Sequence, residues 1–345
     1  MKKNEPSAPN KLVLVTGGLG YVGSALVPHL AANGYRVRVY DTMLFGNHLE
    51  GTPNVEFVKG DIRDYDTLAQ AVKGCGAVVH LAGIVTDALV DMNPGLARKI
   101  NVQATTSLCR IAWAARVERF VYASSSSVYG TQPEGVFATE DMLPLPKVLG
   151  KPPWPLTEYA LSKLAGENIT LSFSATDGFC TTALRCATCC GPAPRMRLDT
   201  IVNTFSAQAY FKRRIEVHGG GQWRANVHVR DAAEAYRQLL EAPAVKVSGK
   251  AFNLVRECAT AIDIARAVAD IIPAEIHVDE TKKDIRHYRM SGDLLRETLG
   301  WAPQCSIAEA VADNLAWFRA GKITDMDADL YWNTKRMAQA MKEGF

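Results

Sequence analysis

A tyrosine and a lysine four residues apart, Tyr159 and Lys163 in the segment EYALSK, are the first residues of this 345-residue chain whose types and spacing suggest chemistry. In a helix this spacing places both side chains on one face. A free tyrosine has a pKa of about 10, but a neighbouring ammonium group stabilises the phenolate and lowers that pKa. Such a tyrosine can remove a proton from a hydroxyl group. Taken alone the spacing is commonplace, and a structural pairing is the simpler interpretation.

A cluster of serines, Ser124 to Ser127 in VYASSSSVYG, changes that balance. It follows a β-branched and aromatic run that predicts a strand, so the hydroxyl groups fall at the carboxyl end of that strand. Ligands of open α/β sheets bind at the carboxyl ends of strands, near a topological switch point. A serine hydroxyl there can donate or accept a hydrogen bond at a reacting oxygen. The sequence therefore favours a proton-transfer site over a structural pair.

A glycine-rich segment, VTGGLGYVG, links a predicted strand to a helical pattern and is typical of a dinucleotide-binding turn. Gly17 permits the tight turn, Gly20 lets the backbone approach a pyrophosphate, and Gly23 allows close packing of helix and strand. The helix N-terminus supplies N–H donors that lack partners within the helix. An ordinary glycine-rich turn is the alternative.

Two aspartates extend the dinucleotide prediction. Asp41 ends the next predicted strand, in VRVYD, where a carboxylate can accept hydrogen bonds from ribose hydroxyls and would repel a 2′-phosphate. We therefore predict NAD, although the nearby Arg36 and Arg38 leave NADP open. Asp61, in KGDIRD, either caps a helix or faces the adenine amine, and the sequence alone leaves both open.

The elements that must position these residues alternate between strands and amphipathic helices, which predicts an α/β fold with a doubly wound parallel sheet. After about residue 190 the alternation weakens, which predicts a smaller, partly interleaved second domain. We predict a disordered tail at 1–10, a cofactor domain at 11–190, a mainly substrate-binding domain at 191–325 and a helical extension at 326–345. The predicted strands are Lys11 to Thr16, Arg36 to Tyr40, Val55 to Lys59, Ala77 to Leu81, Arg119 to Ser124 and Thr181 to Cys186.

Composition argues against several classes of protein. The chain has 39 Lys and Arg against 36 Asp and Glu, with no basic block carrying interleaved aromatics, so nucleic acid is not an expected partner. The N-terminal segment is charged and contains proline, and the first apolar run is too short to span a bilayer, so we expect a cytoplasmic protein without a membrane partner. Cys186, Cys189 and Cys190 lack a second ligand pair, so no metal is predicted.

An ordered set of motifs resembles that of the extended short-chain dehydrogenase/reductases over about residues 11 to 320. In chain order these motifs are the glycine motif, LAG at Leu81 to Gly83, SSSSVYG, YALSK, LR with GP, VHVRDAA and FNLV. The resemblance implies a Rossmann cofactor domain, NAD, a nucleotide-sugar substrate, a homodimer and a catalytic trio of Ser125, Tyr159 and Lys163. The predicted cofactor contacts are Gly17, Gly20, Tyr21, Val22, Gly23, Asp41, Asp61, Ile62, Leu81, Ala82, Gly83, Asn101, Tyr159 and Lys163.

The resemblance also separates the reactions of that family. Enzymes that eliminate water need an additional acid and base near the sugar. The 4,6-dehydratases of this family place Asp-Glu where this chain has Ser126 and Ser127, and the glutamate of the decarboxylases is also missing. Epimerisation at C4 needs neither group. The expected function is therefore an NAD-dependent nucleotide-sugar 4-epimerase, working through a transient 4-keto sugar on a uronic acid or another C5-modified sugar. A C4 dehydrogenase or ketoreductase and a 4,6-dehydratase are the alternatives.

Substrate contacts are predicted from the same resemblance. Thr188 falls where uronic-acid 4-epimerases of the family also carry threonine, whereas the following segment APRMRLD departs from them. Arginine suits a diphosphate because its planar fork donates paired, charge-assisted hydrogen bonds, although each arginine is also consistent with a surface ion pair. The predicted substrate contacts are Ser126, Ser127, Thr188, Arg195, Arg224 and Arg286.

Overall fold

The computed structural model describes residues 11–143, 157–176, 178–282 and 287–345. The predicted tail at 1–10 and the predicted substrate residue Arg286 lie outside the described residues. The strands are β1 Leu12–Thr16, β2 Arg36–Asp41, β3 Val55–Lys59, β4 Ala77–His80, β5 Arg119–Ser125, β6 Cys180–Cys186, β7 Thr188–Cys190, β8 Arg214–His218, β9 Trp223–His228, β10 Lys250–Leu254, β11 Glu257–Thr260 and β12 Glu275–Asp279.

Helices connect most of these strands. The α-helices are α1 Tyr21–Ala32, α2 Tyr65–Val72, α3 Asp87–Met92, α4 Pro94–Arg98, α5 Thr105–Ala114, α6 Glu158–Ser172, α7 Ile201–Lys212, α8 Val229–Glu241, α9 Ala244–Val247, α10 Ala261–Ile271, α11 Asp293–Leu299, α12 Ile307–Arg319 and α13 Asn333–Lys342. A π-helical segment, Lys99–Ala104, joins α4 to α5, and short 3₁₀ turns lie at Ser126–Tyr129, Glu140–Met142, Phe173–Ala175 and Asp329–Tyr331.

Within the described residues, the largest sheet has seven strands in the order β10-β6-β5-β4-β1-β2-β3, and every pair is parallel. The predicted doubly wound α/β fold is confirmed, and each of the six predicted strands is present with its ends shifted by at most one residue. Strand β10 was not predicted as a strand. The order reverses between β1 and β4, so the crevice at their carboxyl ends is the expected ligand site.

The sheet is buried on both faces, as expected of parallel strands connected by helices. Alternate residues of β1 enter opposite cores: Val13 and Val15 pack in the cluster that includes residues of α1 and α8. Leu12 and Leu14 pack in the cluster that includes residues of α2 and α5. Two layers of helices thus hold the strand ends in place.

The chain after β6 forms smaller sheets. In the described ranges these are a three-stranded sheet, β11-β9-β7, and a parallel pair, β12-β8. Helices α7, α10 and α12 enclose a separate apolar cluster around Ile215 and Val217. Because β10 returns to the main sheet from within 191–325, the two regions are interleaved. The predicted domain boundaries stay a prediction.

The C-terminal segment, defined as residues 326–345, packs against the apolar cluster that covers one face of the main sheet. Its helix α13 buries Met337 in the cluster that contains Leu14 and Tyr40, and Phe345 packs against the same cluster. No helix among the described residues is long and apolar enough to cross a membrane.

Candidate active site

Helix α6 carries the predicted tyrosine and lysine into the core. Thr157 begins the helix by accepting a hydrogen bond from the backbone N–H of Ala160, as an N-cap residue does. Tyr159 and Lys163 are both buried, at 9% and 4% exposure. The Nζ atom of Lys163 lies 4.6 Å from the centre of the Tyr122 ring on β5. The face of α6 that bears the pair is therefore directed at the sheet.

Ser125 and Tyr159 are brought together by the end of β5. The hydroxyl of Ser125 lies within reach of the Tyr159 hydroxyl, where hydrogen bonding from it lowers the pKa of Tyr159. Ser125 also accepts a hydrogen bond of 3.2 Å from the backbone N–H of Ser127. Ser124 is engaged elsewhere, because its hydroxyl donates to the buried carboxylate of Glu167 at 2.5 Å. The arrangement supports the choice of Ser125 over Ser124.

The ionisation of the pair is governed by burial. Burial raises the pKa of Tyr159 to about 12, while the hydrogen bond from Ser125 and the charge of Arg197 lower it. Burial lowers the pKa of Lys163 to about 8, while the thiol of Cys186 and the carboxylate of Glu167 raise it. A positive charge placed next to Tyr159 by a bound molecule would make the phenolate more accessible.

The glycine-rich turn has the shape that a dinucleotide requires. Gly17 has a φ of 70°, and a Cβ there would lie 2.6 Å from the backbone nitrogen of Ala82. A Cβ on Gly23 would lie 2.5 Å from the carbonyl oxygen of Gly17. Gly20 instead lines the cavity, with only that same carbonyl, 3.2 Å from a Cβ, near it. Gly17 and Gly23 thus bring the strand, the turn and the next loop into contact, and Gly20 leaves room for a phosphate at the start of α1.

Asp41 is fixed at the end of β2. Its carboxylate accepts hydrogen bonds from the backbone N–H groups of Leu19 at 3.0 Å and Met43 at 2.8 Å. Burial raises its pKa, and these hydrogen bonds and the charge of Arg195 lower it. A carboxylate held in this position can accept hydrogen bonds from ribose hydroxyls, so the residues of the site fit a dinucleotide without a 2′-phosphate.

Asp61 does not cap α2, since Asp64 accepts the hydrogen bond from the backbone N–H of Thr67 at the helix start. The Asp61 carboxylate instead pairs with the guanidinium of Arg63 at 2.9 and 2.6 Å. Burial raises the pKa of Asp61, but the hydrogen bonds and charge of Arg63 outweigh it and lower the pKa overall. Ile62, next to it, is buried.

Asn101 holds the loop after β4. Its amide oxygen accepts from the backbone N–H of Ile84 at 2.8 Å, and its amide nitrogen donates to the Ile84 carbonyl at 2.9 Å and to Ser162 at 3.0 Å. A Cβ on Gly83 would lie 3.0 Å from the same amide oxygen. Asn101 therefore positions the loop at Leu81 to Gly83 relative to α6.

A cavity of about 500 Å³ connects the glycine-rich turn at Gly20 with Ser125 and Tyr159. Twelve of the residues predicted from the sequence line it: Gly20, Tyr21, Val22, Gly83, Ser125, Ser126, Ser127, Tyr159, Lys163, Thr188, Arg195 and Arg224. The other predicted cofactor residues of the described chain are not among the lining residues: Gly17, Gly23, Asp41, Asp61, Ile62, Leu81, Ala82 and Asn101.

The predicted arginines occupy different parts of the site. Arg224 lies on β9, where its guanidinium donates to the carbonyl of Trp223 at 2.9 Å and is 5.7 Å from the centre of the Tyr288 ring. The Tyr288 hydroxyl is 3.4 Å from that of Thr188. Arg195 lies at the opposite end, 3.8 Å from the centre of the Phe45 ring.

Sequence reasoning missed Arg197, Asp199, Asp87 and Tyr288, which also line the cavity. Arg197 is paired with Asp199, Nε to Oδ1, at 2.5 Å. That pair outweighs the effect of burial and raises the pKa of Arg197. The signal was present in the alternating pattern of APRMRLD, but which of its arginines lies near Tyr159 depends on the path of the loop after β7.

Comparison with known proteins agrees with this geometry. A model of the NAD-dependent epimerase/dehydratase family matches residues 13–254. A UDP-glucose 4-epimerase of Mycolicibacterium smegmatis is 30% identical over 322 residues, covering 89% of this chain and 98% of that protein. A dTDP-glucose 4,6-dehydratase of Streptomyces niveus is 28% identical over 335 residues, covering 89% and 92%.

A solved structure extends the comparison to three dimensions. The protein MoeE5, in complex with UDP-glucuronic acid and NAD, superposes with a TM-score of 0.77 at 26% identity. The match covers 90% of this chain and 99% of that chain.

Proposed function

Because the chain belongs to the NAD-dependent epimerase/dehydratase family, we propose that it is a nucleotide-sugar 4-epimerase acting through a transient 4-keto sugar. The observation that carries the proposal is the group of hydroxyls at the end of β5. Ser125 lines the cavity within reach of the Tyr159 hydroxyl, and Ser126 and Ser127 line it next to Ser125. Oxidation at C4 needs the base and the oxygen-binding hydroxyl, whereas elimination of water needs a further acid and base.

In the proposed reaction Tyr159, as phenolate, removes the proton of the C4 hydroxyl while Ser125 holds that oxygen. The glycine turn and Asp41 would hold NAD, which would supply the hydride acceptor and donor for C4. The 4-keto sugar must turn over in the cavity before hydride returns to its opposite face, and that reorientation inverts C4. Lys163 lies one helical turn after Tyr159 and also lines the cavity, with its ammonium group held over the Tyr122 ring. The surrounding walls keep water away from the reactive ketone.

The carboxylates of the cavity support epimerisation over dehydration. Those lining it among the described residues are Asp87, Asp199 and Glu216. Asp199 is paired with Arg197, and Glu216 is paired with Arg214 at 2.5 Å. Of these three carboxylates, only Asp87 forms no ion pair within the described residues. One available carboxylate does not supply both an acid and a base for elimination of water.

The test is to incubate the purified protein with a panel of nucleotide sugars and to follow NADH absorbance and the stereochemistry at C4 by NMR. We expect a C4 epimer without lasting accumulation of NADH, and loss of the product in Tyr159→Phe. Stoichiometric NADH with a free keto sugar would establish a dehydrogenase instead. A 4-keto-6-deoxy product would establish a dehydratase.

We propose further that the sugar carries a carboxylate at C5. Arg197 lines the cavity within electrostatic range of Tyr159, and the C5 substituent is adjacent to the C4 oxygen that Tyr159 contacts. A guanidinium can donate paired hydrogen bonds to a carboxylate. MoeE5, a structural relative, has been solved in complex with UDP-glucuronic acid and also with UDP-glucose.

Arg197→Met is expected to raise KM for a nucleotide uronic acid at least about tenfold, the effect of losing a charge-assisted hydrogen bond, while raising KM for the neutral hexose much less. Steady-state kinetics with the matched pair of UDP-glucuronic acid and UDP-glucose measure this. An equal rise in KM for the two substrates would refute the contact between Arg197 and the carboxylate and would leave the epimerase proposal standing.

A further inference from the structure

The C-terminal segment and Arg195 meet at the adenosine end of the cofactor site. Asp41, the predicted ribose contact, ends β2, and the loop that follows it carries Leu44 and Phe45. Asp61 follows β3 and pairs with Arg63. In a doubly wound sheet these two loops border the adenosine of a bound dinucleotide.

Helix α13 bridges those two loops. The guanidinium of Arg336 donates to the carbonyl of Leu44 at 3.0 Å. At the chain terminus, the ring of Phe345 lies 5.2 Å from the guanidinium carbon of Arg63. Between them Met337 is buried, in an apolar cluster that also receives Met341. The segment thus spans the opening between the loop after β2 and the loop after β3.

The start of the same helix holds Arg195. An Nη of Arg195 donates to the side-chain oxygen of Asn333 at 2.5 Å, and the backbone N–H of Asn333 donates to Asp199 at 3.2 Å. The backbone N–H of Arg195 donates to the hydroxyl of Ser24 in α1 at 3.0 Å. Arg195 is therefore tied both to the C-terminal segment and to the helix whose N-terminus faces the predicted phosphate position.

Arg195 also has unused capacity to bind an anion. It is 2% exposed, and its Nε has no hydrogen-bond partner among the described residues. Burial, and after it the charge of Arg197, lower its pKa to about 9. Together with Gly20, Phe45 and Asn333 it lines the main cavity. A buried cation next to a second cation is costly. The charges of Asp199 and Asp41 offset part of that cost, but neither carboxylate is among the described hydrogen-bond partners of Arg195.

We propose that the C-terminal segment forms a roof over the adenosine half of the NAD site, and that Arg195, positioned by Asn333, binds the diphosphate of the cofactor. This gives Arg195 a cofactor role in place of the substrate contact predicted from the sequence. The roof retains NAD between turnovers, as suits an enzyme that regenerates its NAD within each reaction. The inference concerns cofactor retention and is independent of which sugar reacts.

The test measures release of NAD from the full-length, NAD-loaded protein, by exchange with excess labelled NAD. Arg195→Met is expected to weaken NAD binding about ten- to a hundredfold, as loss of a charge-assisted hydrogen bond does, and to accelerate release. Exposed Arg319→Met, at the end of α12, is the charge-matched control and leaves release unchanged. Unchanged release in a folded Arg195→Met variant would overturn the diphosphate contact.

Binding of cofactor fragments separates the two parts of the proposal. Arg195→Met is expected to weaken binding of ADP and to leave binding of adenosine unchanged, because adenosine has no phosphate. Deletion of residues 326–345 is expected to weaken both and to accelerate NAD release at least tenfold. Phe345→Ala tests the roof without removing the helix, with exposed Lys342→Ser as its control.

Tighter NAD binding after the deletion would show that the segment obstructs the site, and would overturn the roof. Unchanged release in both the deletion and Phe345→Ala would overturn it as well. A protein that shows the expected release rates but epimerises no nucleotide sugar would refute the proposed function and leave this inference standing.

Discussion

The charged groups around Tyr159 decide the pH at which its phenol loses a proton. Burial alone favours the neutral phenol, and the pKa of about 12 reflects this. After the Ser125 hydrogen bond, the charge of Arg197 lowers that pKa, and Asp87 and Tyr288 raise it. Since Tyr159 accepts a proton only as phenolate, activity should fall as pH drops through its pKa. Substitutions of these neighbours should therefore move the acidic limb of the pH profile.

Arg197→Met removes a positive charge, so the pKa of Tyr159 should rise and the acidic limb of kcat should move up by roughly one pH unit. Asp199→Asn removes the anion paired with Arg197, so the limb should move in the opposite direction. Rate profiles at saturating substrate measure both shifts. A shift of the acidic limb in the same direction in both variants would show that Arg197 does not act on Tyr159 through its charge.

Asp87→Asn removes a negative charge that raises the pKa of Tyr159, so the acidic limb should move to lower pH, by at most about one unit. Asp91→Asn, on the exposed face of the same helix α3, is the matched control and should not move it. Loss of activity at every pH in Asp87→Asn would instead assign Asp87 a direct proton transfer.

At the scale of elements, α6 is anchored to the sheet by a buried ion pair. Arg185 on β6 and Glu167 on α6 are paired at 2.5 Å, with side chains 1% and 0% exposed. Glu167 also accepts the hydroxyl of Ser124, and Arg185 donates to the hydroxyl of Tyr129 at 2.7 Å. This network fixes the helix that bears Tyr159 against the strand that bears Ser125.

Arg185→Met leaves the Glu167 carboxylate buried without its partner, so the free energy of unfolding should fall by about 3–5 kcal/mol. Replacing both residues, as Arg185→Met with Glu167→Leu, should restore part of that loss. Chemical denaturation measures the values. Arg266→Met breaks an exposed pair with Asp263 and should cost no more than about 1 kcal/mol. If Arg185→Met also lowered the free energy of unfolding by no more than about 1 kcal/mol, the buried pair would not anchor α6 to the sheet.

At the scale of the whole molecule, two adjacent helices leave large apolar side chains in solvent. Leu161 on α6 is 41% exposed and Trp113 on α5 is 47% exposed. The family resemblance places the homodimer contact on the helices near Asn101 and Tyr159, which are in this region. A stable dimer buries about 800 Å² per subunit, with apolar side chains at its centre.

Leu161→Lys should therefore convert a dimer to a monomer, because it places an unpaired charge in that contact. Light scattering after size-exclusion chromatography measures the mass. Val245→Lys, at a position 89% exposed on α9, is the control and should leave the mass unchanged. A wild-type protein that is monomeric at micromolar concentration would refute the predicted dimer.

The sequence by itself determined six of the seven strands of the main sheet, the glycine turn and the placing of Tyr159 and Lys163 on one helix. These features depend on local patterns: β-branched runs predict strands, glycine spacing predicts the turn after β1, and a spacing of four residues places Tyr159 and Lys163 on one face. The ordered motifs then predicted the family and NAD. The short edge strand β10 was not predicted, because it lies beyond about residue 190, where the alternation of strand and helix patterns in the sequence weakens.

Only the tertiary structure decided which distant side chains complete the site. Arg195 and Asn333 are 138 residues apart and Arg336 is 292 residues from Leu44, so no local pattern connects them. The path of the loop after β7 turns Arg197 toward Tyr159 and Arg195 toward Phe45, in the loop after β2. Contacts of this kind follow from how the elements pack together, and periodicity within one segment carries no information about its partner in space.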